Sequence, residues 1–462
     1  MVRIAVVGGG IAGLAAALRL RDLLPETTIT VYEQSNVLGG KLATRPLRGV
    51  DGTTAPVETG AEMFLTGDPA GGQSAAVALA GRLGLAGDLA HPEGAPAAVV
   101  VDGVLRPLPT GTLLGVPPDL SILAGVAEPT AGLDRDEGRP LLAPGEDVAV
   151  GELVRRRLGD QVVDRLVDPL LGGVYAGRAD QLSLAATIPA LARTAREEST
   201  LVGAVRAALR ASARPAGPVF ATVQGGLSTL VATLTAELRS GRYPVEFRFG
   251  LPVRELHRDG GGWRIGQGRA SAVQWQRVDA VVLALPAHRA ARLLGKDLHV
   301  DYASVGLVTL ALPTVELPAL SGFLVPATEG RTVKAATFFT RKWAHQRRPD
   351  GTVLVRASVG RFGEEDVLRA TDEELVTRVR ADLCALLGPL PGPVATRVTR
   401  WGGALPQYAP GHVDRVAAAR ADLRAAAPTV ALAGAGYDGV GIPACIRSGT
   451  AAAEEIAAVL RE

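Results

Sequence analysis

The sequence predicts an α/β protein organised around a parallel, Rossmann-like βαβ unit near its start. A short apolar run at residues 4–7 has the β-branched composition of a buried parallel strand. A G-x-G-x-x-G motif at residues 8–13 follows directly, and residues 14–24 are rich in the strong helix formers Ala and Leu. A second strand, predicted at residues 28–32, ends at Glu33, twenty residues after the last glycine of the motif.

Each part of this unit has a physical role in binding a dinucleotide. Gly8 permits a tight turn, Gly10 lets the backbone approach a pyrophosphate, and Gly13 lets the helix pack on the strand. The helix N-terminus offers free N–H groups and a positive dipole to the phosphates. The carboxylate of Glu33 can accept hydrogen bonds from ribose hydroxyls. Glycines that merely close a βα turn are the alternative, but the acid at the correct spacing favours a dinucleotide site.

The residues after Glu33 distinguish between dinucleotides. Gly39 and Gly40 are followed by Lys41, with Thr44 three residues later. This order of acid, Gly-Gly, basic residue and Thr resembles the pattern of FAD-dependent amine oxidases and their relatives. Paired glycines allow backbone to pass close to a flavin or a diphosphate. We therefore predict FAD rather than NAD.

Composition restricts the remaining possibilities. The 462 residues suffice for two or three domains, and 47% hydrophobic and 21% charged content is typical of globular proteins. A formal net charge of +2 gives no reason to expect a nucleic-acid partner. Two cysteines are too few for a disulfide framework or a zinc site, so no metal is expected. No apolar run reaches about 18 residues, so we expect no transmembrane segment and a cytoplasmic protein, with peripheral membrane contact left open.

Changes of pattern along the chain divide it into three kinds of segment. Helical patterns dominate the middle of the first half, whereas alternating strands with one helix dominate a later stretch. The predicted organisation is an FAD-binding domain from residues 1–72, 216–289 and 397–462, a helical insert at 73–215, and a mixed-sheet substrate domain at 290–396.

Two segments of the predicted insert carry a more specific resemblance. Residues 106–117 resemble the Pro-x-Gly-Thr…Gly-x-Pro loop of one bacterial branch of the porphyrinogen-oxidising flavoenzymes, and residues 169–177 with 182–184 resemble their Gly-Val-Phe/Tyr-Ala-Gly…Leu-Ser stretch. The Arg-Lys-Trp stretch at 341–343 resembles the same branch; by residue type alone it is a snorkelling basic pair beside a buried Trp. Across its whole length the chain is thus similar to the bacterial coproporphyrinogen III oxidases, a branch of the FAD-dependent amine oxidase superfamily.

This resemblance implies a reaction in heme biosynthesis. Coproporphyrinogen III would lose six electrons in three cycles, each passing a hydride to flavin N5, with molecular oxygen reoxidising the flavin to give hydrogen peroxide. Such chemistry depends on positioning more than on a strong general base, so no side chain is assigned as catalytic. The absence of paired-carboxylate, Ser-His-Asp or Cys-His patterns fits this expectation.

The resemblance also implies two sets of contacts. A strand, a glycine loop and a helix near the end of the chain would aim the backbone N–H groups of residues 440–442 at the flavin pyrimidine, where reduction leaves negative charge. The expected FAD contacts are Gly8, Gly9, Gly10, Ile11, Ala12, Gly13, Glu33, Gln34, Gly40, Lys41, Gly60, Ala61, Glu62, Met63, Val253, Trp401, Ala435, Val440, Gly441 and Ile442. The expected substrate contacts are Gly173, whose carbonyl would accept pyrrole N–H bonds, Tyr175, Phe323 and Leu324 as apolar faces, and Arg341 and Lys342 for propionates.

Two departures from the family pattern affect the substrate. Thr112 and Leu113 stand where protoporphyrinogen enzymes often carry an Arg, which disfavours protoporphyrinogen IX. Residues 66–68 lack the basic residue that the coproporphyrinogen branch often has after the stretch 62–64.

Other functions stay open at this point. Protoporphyrinogen IX oxidation is one, and another is an FAD oxidase or desaturase for polyamines, amino acids or carotenoids, although 4% aromatic residues make the aromatic pair of an amine oxidase hard to build. A non-catalytic relative that binds prenylated partners is a third, but Glu33, Gly40 and the last glycine loop are retained.

Overall fold

A computed structural model describes residues 1–68, 71–211, 217–269 and 271–461. Within them the strands are β1 Arg3–Val7, β2 Thr28–Glu33, β3 Thr44–Arg48, β4 Thr54–Glu58, β5 Phe64–Leu65, β6 Leu89–Ala90, β7 Ala97–Val101, β8 Val104–Pro107, β9 Phe220–Val223, β10 Glu246–Phe249, β11 Val253–Asp259, β12 Gly262–Arg269, β13 Ala272–Val278, β14 Ala280–Leu283, β15 Asp301–Leu312, β16 Gly322–Leu324, β17 Val333–Phe338, β18 Val353–Val359, β19 Ala395–Gln407 and β20 Val430–Leu432. The helices are α1 Ile11–Leu23, α2 Ala75–Arg82, α3 Val150–Leu158, α4 Asp160–Val162, α5 Asp168–Tyr175, α6 Leu184–Thr187, α7 Pro189–Thr194, α8 Leu201–Ala211, α9 Leu227–Arg239, α10 Ala287–Leu294, α11 Phe339–Lys342, α12 Asp372–Leu387, α13 His412–Ala426, α14 Ala435–Asp438 and α15 Ile442–Arg461.

A five-stranded parallel sheet of order β10-β2-β1-β14-β20 gathers strands from three distant parts of the chain. The first strand, β1, lies at its centre, and its apolar residues are buried on both faces, as the near-continuous apolar run predicted. Helices α1 and α15 pack against each other beside this sheet in one hydrophobic core. The predicted Rossmann-like α/β fold is therefore confirmed, and both ends of the chain meet in it.

A second, seven-stranded mixed sheet has the order β19-β15-β18-β17-β16-β7-β8. Helix α12 covers one face and buries Leu375, Val379 and Leu383 in a hydrophobic core with that face. Strands β7 and β8 lie inside the segment predicted as a helical insert, and β19 crosses residue 396, where we placed a domain boundary. The boundaries themselves stay a prediction.

The helical segment follows the sequence prediction with two differences. The helical pattern of residues 188–211 predicts one helix, but the structure has two, because Asp134 accepts hydrogen bonds from the backbone N–H groups of Leu201 and Val202 at 2.7 and 2.9 Å and so caps a new helix there. The stretch 169–177, which would otherwise pass as a loop, is helical through Tyr175 and continues from a π-helical turn at Val163–Val167. Among the described residues, no helix combines the length and apolar character needed to cross a bilayer.

Candidate flavin and substrate site

The glycine turn between β1 and α1 contains two closely packed glycines and one open position. A Cβ on Gly8, whose φ is +111°, would lie 2.3 Å from the carbonyl oxygen of Ala284, and a Cβ on Gly13 would lie 1.9 Å from that of Gly8. Among the residues that the structure describes, a Cβ on Gly10 would meet nothing within 4 Å, and no side chain caps the N-terminus of α1 that follows it. The turn is thus tightly built, yet it leaves helix N–H groups and open space beside Gly10 that fit a pyrophosphate.

Glu33 is held beside this turn by the backbone. Its carboxylate accepts hydrogen bonds from the N–H groups of Gly9 at 2.9 Å and Ser35 at 2.8 Å. A Cβ on Gly9 would lie 3.0 Å from that carboxylate, so the Glu33 side chain packs closely against this glycine. These contacts fix the carboxylate where the βαβ pattern predicts a ribose, while Gln34 beside it is exposed.

The Gly-Gly-Lys segment packs on the glycine turn. Gly39 donates its N–H to the carbonyl of Gly9 at 2.8 Å, and Gly40 approaches Gly10 closely enough that a Cβ would lie 3.5 Å from its Cα. Burial lowers the pKa of the Lys41 amine, with the Cys445 thiol as the opposing influence. An anionic cofactor group at this place would stabilise the ammonium form.

The turn after β4 brings together four of the residues that we expect to contact FAD. Ala61 donates its N–H to the carbonyl of Lys41 at 2.9 Å, and a Cβ on Gly60 would lie 2.0 Å from the same oxygen. The indole N–H of Trp401 donates to the carbonyl of Thr59 at 2.7 Å. Lys41, Gly60, Ala61 and Trp401 are therefore neighbours, although Trp401 is distant in sequence.

Glu62 in this turn is the centre of a buried charge network. Lys342 Nζ and the indole N–H of Trp343 reach its Oε1 at 2.8 and 2.9 Å, and the Arg356 guanidinium pairs with its Oε2. Burial alone would raise the pKa of Glu62, but the charges of Lys342 and Arg356 outweigh burial and lower it to about 2. Arg356 also donates to the carbonyl of Gly60 at 3.2 Å, so strand β18 of the second sheet is fastened to this turn.

This network gives the Lys342 ammonium a protein partner. Arg341, the other predicted propionate contact, is exposed and donates to the carbonyl of Leu317 at 3.2 Å. The propionate role of both residues stays a prediction. The sequence did not identify Arg356 as a member of this network. A single Arg in an apolar strand pattern gives no local sign of a partner 294 residues away.

Glu58 is a second buried carboxylate at the start of the same turn. Its carboxylate accepts hydrogen bonds from the N–H of Leu227 at 2.6 Å, at the N-terminus of α9, and from the Thr44 hydroxyl at 3.1 Å. Burial raises its pKa to about 7 against these hydrogen bonds and the charge of Arg356. Glu58 is not among the contacts expected from the sequence.

The predicted substrate residues divide into two groups. Gly173, which is exposed on α5, faces Leu324 on β16: a Cβ on Gly173 would lie 3.6 Å from Leu324 Cδ2. The side chains of Phe323 and Tyr175 instead lie in hydrophobic cores, 2% and 7% exposed, in edge-to-face contact with Phe338 and Tyr408. Phe323 and Leu324 are consecutive strand residues and so point to opposite faces, which the sequence could not assign to core and pocket.

The loop before α15 is fixed by polar contacts. The Ser448 hydroxyl accepts the N–H of Gly434 at 2.9 Å and donates to the Asp438 carboxylate, which also pairs with Arg420. The carbonyl of Ala435 accepts the Tyr408 hydroxyl. Val440 is half-buried, Gly441 is exposed and Ile442 begins the helix, so this N-terminus lies open at the surface of the first sheet's layer.

Val253 opens β11 opposite Gln267 of β12. The Gln267 side chain is buried, and its Oε1 has no hydrogen-bond partner among the described residues. Val253 is one of the expected FAD contacts, so an unpaired buried acceptor next to it fits a polar ligand group at this place. Ile11 and Ala12 are buried in α1, and Met63 packs against the core that contains Trp343.

The sequence profile of the flavin containing amine oxidoreductase family matches residues 11–457. The chain belongs to this family. A coproporphyrinogen III oxidase of Mycobacterium tuberculosis (strain ATCC 25618 / H37Rv) is 39% identical over 96% of this chain and 94% of its own, and one of Bacillus subtilis (strain 168) is 30% identical over 98% and 97%. The crystal structure of a protein provisionally named protoporphyrinogen oxidase, from Exiguobacterium sp. 255-15, superposes with a TM-score of 0.83 at 31% identity, covering 100% of this chain and 99% of that one.

The flavin-containing amine oxidoreductase fold extends to more distant structures. Cyclohexylamine oxidase from Brevibacterium oxydans IH-35A superposes over the full length of both chains with a TM-score of 0.68 at 19% identity. As a member of the flavin-containing family, this protein is an oxidoreductase, and FAD is its cofactor. The open Gly10 position, the fixed Glu33 carboxylate and the buried Lys41 amine are the features of this chain that fit a dinucleotide flavin.

Proposed function

We propose that this protein oxidises coproporphyrinogen III to coproporphyrin III in heme biosynthesis, with molecular oxygen as electron acceptor and hydrogen peroxide as product. The observation that carries the proposal is similarity along the entire chain, 39% over 96% of it, to a protein named coproporphyrinogen III oxidase. A relative of the same name at 30% identity covers 98% of the chain. We place the reaction in the cytoplasm.

The residues that would hold FAD come from both ends of the chain. Glu33 would accept the ribose hydroxyls, the N-terminus of α1 would face the diphosphate, and Lys41 would add a positive charge. When bound, FAD supplies the two-electron acceptor for each oxidation cycle. The first N–H groups of α15, a helix of 20 residues, have no partner within the helix and would stabilise a developing negative charge.

The remaining residues orient and enclose the substrate. Gly173 and Leu324, which lie next to each other, would form an apolar wall beside the substrate, and the Gly173 carbonyl would accept pyrrole N–H bonds. The ion pairs of Glu62 join the seven-stranded sheet to the turn that would lie beside the cofactor. They would thereby hold substrate and FAD at a fixed separation. The reaction depends on positioning, because a hydride leaves a reduced ring and no protein nucleophile is required.

Aerobic turnover tests this proposal directly. The purified protein is incubated with coproporphyrinogen III and, separately, with protoporphyrinogen IX, and porphyrin fluorescence and hydrogen peroxide are followed together. We expect faster turnover of coproporphyrinogen III and three peroxide molecules for each porphyrin. Equal or faster turnover of protoporphyrinogen IX would overturn the substrate assignment, and porphyrin without peroxide would overturn the assignment of oxygen.

A further inference from the structure

A cleft of about 360 Å³ opens at one end of the seven-stranded sheet, separate from the predicted contacts. It lies between the loop before β17, the loop after β18 and helix α12. Three arginines line it, Arg331, Arg361 and Arg378, together with two carboxylates, Glu364 and Asp366. The lining therefore carries an excess of positive charge.

The two carboxylates are shared with arginines outside the cleft. Glu364 lies 3.5 Å from Arg178 as well as 4.0 Å from Arg361. Asp366 pairs with Arg369 at 3.3 Å, and both of these side chains are almost fully exposed. Each carboxylate therefore also pairs with an arginine outside the cleft and does not neutralise the cleft arginines exclusively.

The arginines have mainly neutral or distant partners. The Arg361 side chain is 11% exposed and donates to the carbonyls of Val325 at 2.9 Å and Arg331 at 3.4 Å. Burial lowers its pKa, since a buried guanidinium lacks the solvation it has in water. Arg331 Nε is buried and has no hydrogen-bond partner within the described part of the chain, and its Nη1 lies 3.6 Å from Asp382. A ligand carboxylate would satisfy both groups with charge-assisted hydrogen bonds.

The cleft adjoins the predicted substrate wall. Arg361 binds the carbonyl of Val325, the residue directly after Leu324. Its chain neighbour Phe362 donates its N–H at 2.7 Å to the carbonyl of Ala176, which ends helix α5. The loop that carries Arg361 therefore contacts both elements of the wall, and a flat ring seated there would direct one edge towards the cleft.

A buried amine lies between the cleft and the wall, where an anionic ligand would favour its ammonium form. Lys334 is 8% exposed and lies at an irregularity in β17, from which its Nζ reaches the carbonyl of Gly172 at 3.3 Å. Burial, and then the charge of Arg361, lower its pKa to about 7. The region between the cleft and the wall is thus suited to an anionic part of the substrate.

We propose that the arginine cleft binds substrate carboxylates and recognises the propionates that coproporphyrinogen III has where protoporphyrinogen IX has vinyl groups. The inference rests on the proposed function. A vinyl group would leave the guanidinium groups unpaired, and sites built to bind a polar group discriminate strongly against an analogue that lacks it. The cleft would thereby set the preference between the two porphyrinogens.

The test compares a cleft variant with a matched surface variant in the FAD-loaded enzyme. Arg331→Gln/Arg378→Gln removes two cleft charges, whereas Arg139→Gln removes an arginine that is 77% exposed and neither lines the cleft nor pairs with a carboxylate that does. We measure kcat and KM for both porphyrinogens, and Kd for coproporphyrin III and protoporphyrin IX by fluorescence. For the cleft variant we expect KM and Kd of the coproporphyrin pair to rise roughly tenfold or more, with kcat and all protoporphyrin constants within about twofold.

Other outcomes overturn the proposal. Unchanged coproporphyrin constants, or an equal loss for both compounds, would show that the cleft does not recognise the additional propionates. Because Arg378 is exposed on α12, Arg378→Gln alone keeps the test valid if the double variant fails to fold. If wild-type protein oxidises neither porphyrinogen, the proposed function fails, but the porphyrin-binding comparison still decides whether the cleft binds carboxylates.

Discussion

Gly449 in the last helix lies directly against Ala12 in the first: a Cβ on Gly449 would be 2.0 Å from the Ala12 carbonyl oxygen and 3.1 Å from the N atom of Ala16. This contact brings the two ends of the chain together, as the proposed cofactor site requires. The glycine turn before α1 and the open N-terminus of α15 are brought to the same side of the first sheet because their helices pack without an intervening side chain.

Gly449→Ala should separate these helices. The added methyl group meets backbone atoms, which cannot move aside as a flexible side chain could, so we expect a loss of about 1–3 kcal/mol in the free energy of unfolding and weaker flavin retention. Denaturant unfolding and flavin content after dilution measure both effects. The control is Gly81→Ala in α2, where a Cβ meets nothing within 4 Å and helix propensity should stabilise the protein slightly. Equal stability of the two variants would contradict the packing argument.

Glu33→Ala should weaken FAD binding. The variant removes the carboxylate held by Gly9 and Ser35, and with it the hydrogen bonds to ribose, for which we expect at least a tenfold higher Kd for FAD. Reconstitution of the apoprotein with FAD, followed by flavin fluorescence, gives the Kd. Glu33→Gln, which retains one acceptor oxygen, should fall between wild type and alanine. Full flavin occupancy of Glu33→Ala under dilution would rule out this role for Glu33.

Glu62→Gln should be strongly destabilising, since it leaves Lys342 and Arg356 buried without their counter-charge. We expect a loss of about 3–5 kcal/mol in the free energy of unfolding at neutral pH. Glu93→Gln, which breaks an exposed pair with Arg347, should cost under about 1 kcal/mol. The pKa of Glu62 is lowered in the folded protein, so its contribution is present above pH 4.5 and disappears as pH falls towards 2. A difference between wild type and Glu62→Gln that does not shrink on acidification would contradict this account.

Glu58 should give the opposite pH dependence. Its pKa is raised from 4.5 to about 7, so the folded protein binds the proton more tightly than the unfolded chain, and stability falls as pH rises from 4.5 through 7. Glu58→Gln replaces the protonated carboxyl by a neutral amide and should remove this fall, which we expect to be about 1–3 kcal/mol. Unfolding free energies of both proteins at pH 5 and pH 8 measure it. If the difference in unfolding free energy between wild type and Glu58→Gln is the same at pH 5 and pH 8, Glu58 does not titrate in this range.

Local features of the site were predictable from the sequence, and long-range ones were not. The glycine turn and Glu33 lie within one βαβ unit, where fixed spacing translates directly into fixed geometry. The contact of Glu62 with Arg356 depends on two sheets meeting, and no local pattern encodes that meeting. The break between α7 and α8 depends likewise on Asp134, a loop residue 67 positions before Leu201.

The substrate wall shows the same limit on a smaller scale. The apolar segment containing Phe323 and Leu324 was recognised, but the choice of the residue that faces the pocket depends on the strand's orientation in its sheet. The arginine cleft was missed because its residues come from two loops and a helix, and no spacing in the sequence relates Arg331, Arg361 and Arg378.

Anaerobic mixing of the flavin-loaded protein with coproporphyrinogen III tests the central claim most directly. If both ends of the chain hold one flavin that takes electrons from this substrate, the visible flavin absorbance bleaches within a single turnover, and admission of oxygen restores it as porphyrin fluorescence appears. A flavin that stays oxidised in the presence of excess coproporphyrinogen III would contradict the account.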